Sequence, residues 1–306
     1  MAQEPLLTVG KAKSGELVHI HTQFSGRGDL VCPFCSRPLV AVRGQVRIHH
    51  FRHDGLTCRE SRRSLTLIPG WDHFSLSLPA SIVADLLQQT DKPYYPSLRH
   101  RRPDSHARRM EDYGLIEPAY RGGYQLTDTG QVVPGLLSLS KFDPWLRTRL
   151  QHRLREKRDL VAGGHLHPAH FDVEAARQEQ ILSATLYLIE LSTADGVVFH
   201  KVGRTRRSVA QRLLEVIRDM SLTYQAPVQG RILQAIDSAG YVEKYTHWKY
   251  RASLLDVGRY QEYFQLSPND LRALKAELTR FKNGRSAFSE AEAQIASGQW
   301  SIELRP

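Results

Sequence analysis

Two apolar, β-favouring runs, residues 184–191 and 197–202, lie on either side of a short polar turn that ends in Gly196. Runs of this length around a glycine-containing turn predict an antiparallel hairpin. A helix is predicted directly after the hairpin, because Ser208 is a good cap and the apolar residues that follow it recur at helical spacing. Arg212 lies in the N-terminal half of that helix. A hairpin followed at once by a basic helix therefore limits what the C-terminal part of the chain can fold into.

The chain beyond that helix continues the alternation of strands and helices. The pattern predicts a third strand over residues 228–236, a helix over 240–251 and a short strand over 262–266. A last amphipathic helix is predicted to start at Pro268. We therefore expect residues 181–306 to form an α+β domain in which helices flank a three-stranded antiparallel sheet.

Three residues of this domain can converge on a phosphate, since together they offer a phenol and two cations: Tyr187, Lys201 and Arg212. A family resemblance described below adds Glu243 and His247 as candidates for catalysis. Structural interpretations compete with this one, because Tyr187 is also an ordinary strand aromatic, and Glu243 and His247 have the spacing of a pair on a helix surface. The turn after the second strand adds three arginines that either contact phosphate or form a solvated turn: Arg204, Arg206 and Arg207.

In order and spacing these residues resemble the GIY-YIG endonucleases, especially a divergent branch common in phages and mobile elements. Leu186-Tyr187-Leu188 stands at the first motif of that family, and Lys201-Val202-Gly203 stands at the second. Arg212 matches the helical arginine, and Glu243 matches the metal-binding glutamate. The resemblance covers only the C-terminal third of the chain.

The chain departs from the family pattern at two positions. Lys201 replaces the second tyrosine of the family name. Val216 stands where a His or Tyr often follows the arginine by one helical turn. The role of that residue would then be absent, or it would be filled by His200 or His247.

The resemblance implies hydrolysis of a phosphodiester bond with the help of one Mg²⁺. Tyr187 would take a proton from the attacking water, provided that nearby cations lower its pKa. Lys201 would lower that pKa or bind phosphate. Arg212 would donate to the phosphoryl oxygens, and Glu243 would hold the Mg²⁺.

The three cysteines of the chain lie at positions 32, 35 and 58. An odd, clustered set fits metal binding in a reducing compartment better than a disulfide framework. Cys32 and Cys35 form a Cys-Pro-Phe-Cys knuckle, and a hairpin around Gly44 would bring back His50 and His53. Two thiolates and two imidazoles predict a closed, structural Zn²⁺ site.

This set of four ligands has open alternatives. His49 can substitute for His50, and Cys58 can substitute for either histidine. The run Cys-Pro-x-Cys, then a glycine, then His-Phe-x-His resembles the zinc-ribbon start of competence protein CoiA-like proteins. That resemblance implies a ribbon-like module and does not extend to the nuclease domain of that family.

Residues 67–140 carry helical and hairpin signals in turn. Apolar residues at helical spacing predict a helix over 80–89, and Gly122-Gly123 predicts a hairpin tip ahead of a further helix. The order resembles winged helix-turn-helix domains, in which a basic helix enters the major groove and the wing meets the backbone. A small helical domain with a solvated arginine face is the alternative. The implied DNA contacts are Arg101, Arg102, Arg108, Arg109 and Arg121.

Residues 141–180 are predicted to form a connector, with a basic amphipathic helix that ends at Gly163-Gly164. His165, His167 and His170 are then predicted to lie in a polar loop, with a weak metal site as the alternative. A formal net charge of +10 over 306 residues favours a polyanionic partner. The chain has neither an apolar run long enough to cross a bilayer nor an N-terminal secretion signal. We therefore expect a cytoplasmic protein without membrane contact.

The sequence predicts a multidomain α+β protein with a zinc ribbon (1–66), a winged helix (67–140), a connector (141–180) and a GIY-YIG-like domain (181–306). The predicted function is a metal-dependent DNA endonuclease with catalytic Mg²⁺ and structural Zn²⁺, in a restriction or mobile-element setting. Its expected partner is double-stranded DNA, and a homodimer is one possible assembly. The alternative is a catalytically inactive DNA-binding regulator or recruitment protein, and an RNA-directed nuclease is a third reading.

Overall fold

A computed structural model describes residues 7–43, 49–58, 78, 80–88, 106–120, 123–257 and 262–300 of the chain. Over these residues the fold is mixed α+β, and its strands pair antiparallel in three sheets. The predicted α+β class is confirmed at this level. Three of the candidate DNA-binding arginines lie outside the described residues: Arg101, Arg102 and Arg121.

The N-terminal part of the chain forms a sheet of five short strands. They are β1 (Val9–Lys11), β2 (Leu17–His19), β3 (Gly26–Val31), β4 (Pro38–Val42) and β5 (His50–His53). Their order in the sheet is β2-β1-β3-β4-β5. The pairing of β4 with β5 is the hairpin predicted around Gly44, whose tip at 44–48 is not among the described residues. Ile20, Leu39 and Phe51 are buried in the core of this module.

A second unit combines short helices with a two-stranded hairpin. Its elements are α1 (Ala80–Gln88), α2 (His106–Asp112), β6 (Ile116–Pro118), β7 (Tyr124–Leu126) and α3 (Asp128–Val132). Ile82, Leu86 and Met110 belong to one buried cluster, because α1 and α2 each turn an apolar face inward. The hydroxyl of Thr127 caps α3 by accepting from the backbone N–H of Gly130 at 3.1 Å. This order of elements agrees with the predicted one, and the winged-helix assignment stays a prediction.

Two long helices, α4 (Leu139–Ala162) and α5 (Ala169–Leu182), follow the second unit. The basic helix predicted for the connector is α4. The polar-loop prediction is wrong for His170, which lies in α5 and is 3% exposed. The helix forms there because it is buried on two sides. Its Val173 packs in the core of the N-terminal sheet, and its Phe171 packs in the core that contains α4.

The C-terminal part of the chain builds the largest core around a sheet. Its strands are β8 (Thr185–Thr193), β9 (Val198–Thr205), β10 (Val228–Ile236) and β11 (Tyr263–Phe264). Its helices are α6 (Val209–Tyr224), α7 (Glu243–Lys249), α8 (Pro268–Gly284) and α9 (Glu290–Ala296). The order of the strands is β10-β8-β9-β11. The short strand predicted over 262–266 forms as β11 and joins the sheet by pairing with β9 opposite Lys201 and His200, so the sheet has four strands where three were predicted.

The central strand β8 is buried on both faces of this sheet. Leu186 and Leu188 point into the core formed with α4, α5, α7 and α8, whereas Tyr187 and Ile189 point into the core beneath α6. Successive side chains of a strand alternate between its faces, so one short run supplies both cores. Tyr187 is thereby directed to the α6 side.

A buried ion pair joins α4 to α9. Arg147 donates to both carboxylate oxygens of Glu292 at 2.6 Å, and Asp143 lies 3.6 Å from the same guanidinium. Burial acts to raise the pKa of Glu292, but the bonds from Arg147 and from Ser289 outweigh burial and hold that pKa below its ordinary value of 4.5. The pair therefore stabilises the packing of the last helix.

We expect Glu292→Gln to destabilise the fold at pH 7 by about 3 kcal/mol, because Arg147 is left as a buried charge without its main partner. Because the folded-state pKa is lowered, the stabilisation is present above pH 4.5 and is lost as the pH falls through the folded-state pKa. Urea unfolding at pH 7 and at pH 4 measures the difference between the two proteins, which should shrink at the lower pH. Lys282→Gln, on the exposed side of α8, is the control and should change stability by less than about 0.5 kcal/mol. An equal difference at both pH values would contradict this assignment.

Candidate metal centre and candidate active site

Three cysteines and one histidine meet at the N-terminal sheet. The ligand atoms of Cys32, Cys35, His53 and Cys58 all lie within 4.8 Å of one another. Cys35 Sγ is 3.3 Å from Nε2 of His53, and Cys32 Sγ is 3.9 Å from Cys58 Sγ. The first two cysteines lie in the turn between β3 and β4, the histidine ends β5, and the last cysteine follows it. Three sulfurs and an imidazole nitrogen form a donor set that could hold a metal such as zinc.

The predicted ligand His50 is not part of this cluster, and Cys58 takes its place. His50 and His53 are the first and last residues of β5 and lie three positions apart. Side chains alternate between the two faces of a strand, so residues at an odd spacing point to opposite faces. The structure thus selects one of the alternatives that the sequence left open.

The surroundings of His53 suit a metal ligand. Burial, and then the positive charge of Arg37, lowers the pKa of His53. A lowered pKa favours the neutral imidazole, which is the form that binds metal. The turn that carries Cys32 and Cys35 also packs against α5, since the ring of Phe34, between the two cysteines, lies 4.9 Å from the ring of His170. The cluster is therefore anchored to the body of the protein.

We expect the purified protein to carry about one equivalent of zinc, because closed sites of this kind bind zinc tightly at neutral pH. Cys58→Ser should lower the bound zinc to less than about half an equivalent, since the site loses one of its four ligands. His50→Ala is the matched control and should keep its metal. Metal analysis of the gel-filtered proteins measures all three, and the reverse pattern for the two variants would overturn the cluster.

The candidate active site begins where β8 and β9 pair. Tyr187 on β8 lies opposite Gly203 on β9, and the phenol ring covers the glycine. A Cβ atom at position 203 would lie 2.5 Å from the ring carbon Cζ of Tyr187. Any larger residue would displace the ring. Gly203 therefore allows the ring of Tyr187 to lie across the neighbouring strand.

The hydroxyl of Tyr187 reaches the helix α6, where Nε of Arg212 lies 3.4 Å away. Arg212 also donates from Nη1 to Oε2 of Glu215 at 2.9 Å. Arg207 binds the same carboxylate through two bonds of 2.6 and 2.9 Å. The hairpin and the following helix thus place a phenol and a guanidinium side by side.

Lys201 lies on the same face of the sheet as Tyr187 and is fully buried. Its ammonium group pairs with the carboxylate of Glu262 and lies 4.5 Å from the centre of the Tyr263 ring. Sequence reasoning did not select Glu262, whose partner is 61 residues away in the chain. The sequence feature that points to Glu262 is its position directly before Tyr263 and Phe264, the apolar residues of a short strand. The lysine is therefore held by a carboxylate.

Glu243 and His247 approach the site from α7. Oε2 of Glu243 lies 3.5 Å from Nε of Arg204. His247 donates from Nε2 to the backbone carbonyl of Val202 at 2.8 Å, and so it binds β9. The charge of Glu243 acts on the pKa values of His247, Tyr187 and Lys201. The structure thus brings the five candidate catalytic residues into one neighbourhood.

Burial raises the pKa of Tyr187 above its ordinary value, although the charge of Arg212 lowers it in part. Arg212 thus acts in the direction that the proposed base requires, but the net shift is upward, because desolvation of the phenolate outweighs the guanidinium. Burial also lowers the pKa of Lys201, and the charge of Glu262 opposes that effect. For Glu262 burial favours the neutral acid, but Lys201 outweighs burial, so the pKa lies below its ordinary value. The site therefore contains a protonated phenol beside an ion pair whose lysine is buried and whose carboxylate is partly exposed.

The other candidate residues are spread over the structure. Nη2 of Arg206 lies 2.7 Å from Oε1 of Glu179 in α5. Arg108 and Arg109 lie at exposed positions of α2. Val216 is 1% exposed and packs in the core beneath α6, so that position serves packing.

No family model matches this chain, and neither a curated protein nor a solved structure matches it. The resemblances to GIY-YIG endonucleases, CoiA-like proteins and winged helices therefore stay predictions drawn from the residues. Among the helices that the structure describes, none has the length and apolar character needed to cross a membrane.

We expect Gly203→Ala to destabilise the domain by about 2 kcal/mol, because an added methyl group in a filled core forces side chains to shift. The same substitution should cost much less in a Tyr187→Ala background, where the obstructing ring is absent. Urea unfolding of the four proteins in this double-mutant cycle measures the coupling. Gly284→Ala, at the end of α8 in open space, is the control and should not destabilise the protein. Equal costs in the two backgrounds would show that the ring does not exclude a side chain at position 203.

Proposed function

We propose that the protein is a metal-dependent DNA endonuclease whose C-terminal domain, of GIY-YIG type, hydrolyses phosphodiester bonds. The observation that carries the proposal is the contact between Tyr187 and Arg212 across Gly203. A phenol can take a proton from water, and a guanidinium can receive the charge that develops on phosphoryl oxygens. Both groups are supplied by rigid elements, which keeps them in place for such a reaction.

The residues around this contact would have different roles. Arg212 offers fixed, planar donors to a phosphate. Tyr187 is protonated in the resting site, and further positive charge near its hydroxyl would bring its pKa down. Lys201 is paired with Glu262, and so its proposed role changes from phosphate contact to a positioning residue beside the phenol.

Glu243 would hold one Mg²⁺, because this cation is commonly bound by one or two carboxylates together with waters and substrate phosphates. The carboxylate oxygen is a ligand that suits the ion, and Glu243 lies close enough to influence Tyr187. When bound, the ion would supply positive charge at the leaving oxygen. His247 would keep β9 in place through its bond to Val202.

The N-terminal parts of the protein would deliver DNA to this site. We propose that the Cys/His cluster holds a structural Zn²⁺ and that the unit containing Arg108 and Arg109 contacts duplex DNA. The net charge of +10 supports a polyanionic partner.

A catalytically inactive DNA-binding regulator or recruitment protein is the second candidate. Two observations favour it: Lys201 is buried against a carboxylate, and burial raises the pKa of Tyr187. A site whose charges satisfy one another is also what a degenerate nuclease domain would contain. Cleavage and binding must therefore be measured separately.

We expect purified protein to cleave plasmid, linear or branched DNA in Mg²⁺ and to leave the DNA intact in chelator. Tyr187→Phe and Glu243→Gln should each slow cleavage at least about 100-fold, because they remove the proton acceptor and the metal ligand. Gel electrophoresis of timed samples measures the rates, with an RNA substrate in parallel.

Tyr224→Phe is the matched control, since it removes a phenol hydroxyl at the far end of α6 and should retain full activity. DNA binding without cleavage under every condition would replace the nuclease with the inactive DNA-binding candidate. Cleavage of RNA alone would change the substrate, and full activity of Tyr187→Phe would exclude this tyrosine as the base.

A further inference from the structure

A surface groove of about 970 Å³ runs along one side of α4. Asp128 and Thr129 of the α3 helix line it beside the first turns of α4, and Leu166 and His170 line it beside the last turns. The other lining residues come from α4 itself. The groove is separate from the candidate catalytic residues and from the Cys/His cluster, since neither set contributes to its lining.

The α4 residues in the groove include a row that repeats every four positions. Its members are Lys141, Trp145, Arg149, Arg153 and Lys157. With a rise of about 1.5 Å per residue, neighbours in the row are about 6 Å apart along the helix axis, and the row is about 24 Å long. Four of the five side chains are basic. The groove therefore contains a line of four cations along the helix, with Trp145 between the first and the second of them.

The centre of this row is held in place by α3. The guanidinium of Arg149 lies 4.4 Å from the centre of the Trp145 ring and donates to the hydroxyl of Thr129 at 3.3 Å. The indole of Trp145 donates to the same hydroxyl at 3.0 Å. The indole ring of Trp145 also stacks on the ring of Phe142, with 5.5 Å between the two centroids. The indole is thus engaged by neighbouring side chains and serves to orient the arginine.

Carboxylates offset only part of the positive charge of the row. Two of the cations pair with acids: Lys141 with Asp128 at 3.4 Å, and Arg153 with Glu174 at 3.1 Å. Burial lowers the pKa of Arg149, and burial also lowers the pKa of Lys157 in spite of the opposing charges of Glu174 and of Glu156, which also lines the groove. These two cations have therefore lost hydration that an anion in the groove would replace.

We propose that this groove binds one phosphodiester strand of a nucleic acid along α4. A nucleic-acid strand carries one negative charge per nucleotide at regular intervals, and a line of cations matches that pattern better than it matches a single small anion. Because the indole of Trp145 is engaged by Phe142 and Arg149, that ring serves to orient the arginine, and the cations of the row supply the phosphate contacts. The expected binding is thus independent of base sequence. The inference deepens the proposed function and rests on it in one respect, since the strand bound here would be the one led to Tyr187.

The test measures binding of a fluorescent 20-nucleotide DNA strand and of the corresponding duplex to the full-length protein by anisotropy. Arg149→Gln/Lys157→Gln should weaken binding about tenfold at moderate salt and should reduce the slope of log Kd against log salt by about two, one for each lost phosphate contact. Arg272→Gln/Lys275→Gln, on the exposed side of α8, removes the same charge elsewhere and should weaken binding less than about twofold. Equal weakening by the two double variants would overturn the proposal in favour of a general charge effect.

A charge-retaining variant distinguishes loss of the phosphate contacts from loss of the fold. Arg149→Lys/Lys157→Arg should bind DNA within about threefold of the wild type, because both phosphate contacts keep a cation. If this variant binds as weakly as the glutamine pair while its circular dichroism is native, the groove is not a phosphate site. Binding of a poly-glutamate peptide through the same residues, with no effect of the variants on DNA, would assign the groove to a protein partner and overturn the inference.

The groove and the nuclease can fail independently. If Arg149→Gln/Lys157→Gln loses DNA binding and the wild-type protein never cleaves DNA, the result supports the proposed groove and contradicts the proposed nuclease activity. Cleavage that depends on Tyr187, with normal binding and normal KM in the groove variant, defeats the groove and supports the nuclease. If both hold, the groove variant should raise KM and leave kcat within about twofold, because it removes binding that is equal in the ground state and the transition state.

Discussion

The burial of β8 on both faces is the constraint on which the rest of the C-terminal structure depends. The strand pairs with β9 on one side and with β10 on the other, and its alternate side chains enter two different cores. Tyr187 is thereby forced towards α6, where its ring covers Gly203 and its hydroxyl meets Arg212. A shift of one residue in the pairing would send the phenol to the opposite face. The geometry of the candidate site is therefore a consequence of sheet register.

In the candidate site the positively charged side chains are paired with carboxylates. Lys201 is paired with Glu262, and Arg212 shares the carboxylate of Glu215 with Arg207. These pairs offset the cost of burying charge, and the same burial raises the pKa of Tyr187. An enzyme built on this site would depend on substrate and cation to supply the charge that activates the phenol. An inactive relative would keep the same pairs for stability alone.

The helix α5 contacts both the N-terminal module and the C-terminal core, which the sequence predicts to be separate domains. Val173 of α5 packs in the core of the N-terminal sheet, and Phe171 packs in the large C-terminal core. Phe34, between the two knuckle cysteines, contacts His170 of the same helix, which also lines the groove along α4. Metal at the Cys/His cluster would therefore stabilise a wall of the proposed nucleic-acid groove as well as its own module.

The sequence by itself determined the elements whose signals are local. The strand over residues 228–236 has the predicted bounds, the β8–β9 hairpin forms, and α6 follows Ser208, because periodicity and turn residues are properties of neighbouring positions. Only the tertiary structure decided that Cys58 replaces His50, since the faces of β5 settle which side chains meet. It also decided the pairing of Lys201 with Glu262 and the raised pKa of Tyr187. Which side chains pair and how deeply they are buried depend on contacts between segments far apart in the chain. The local sequence pattern does not specify those contacts.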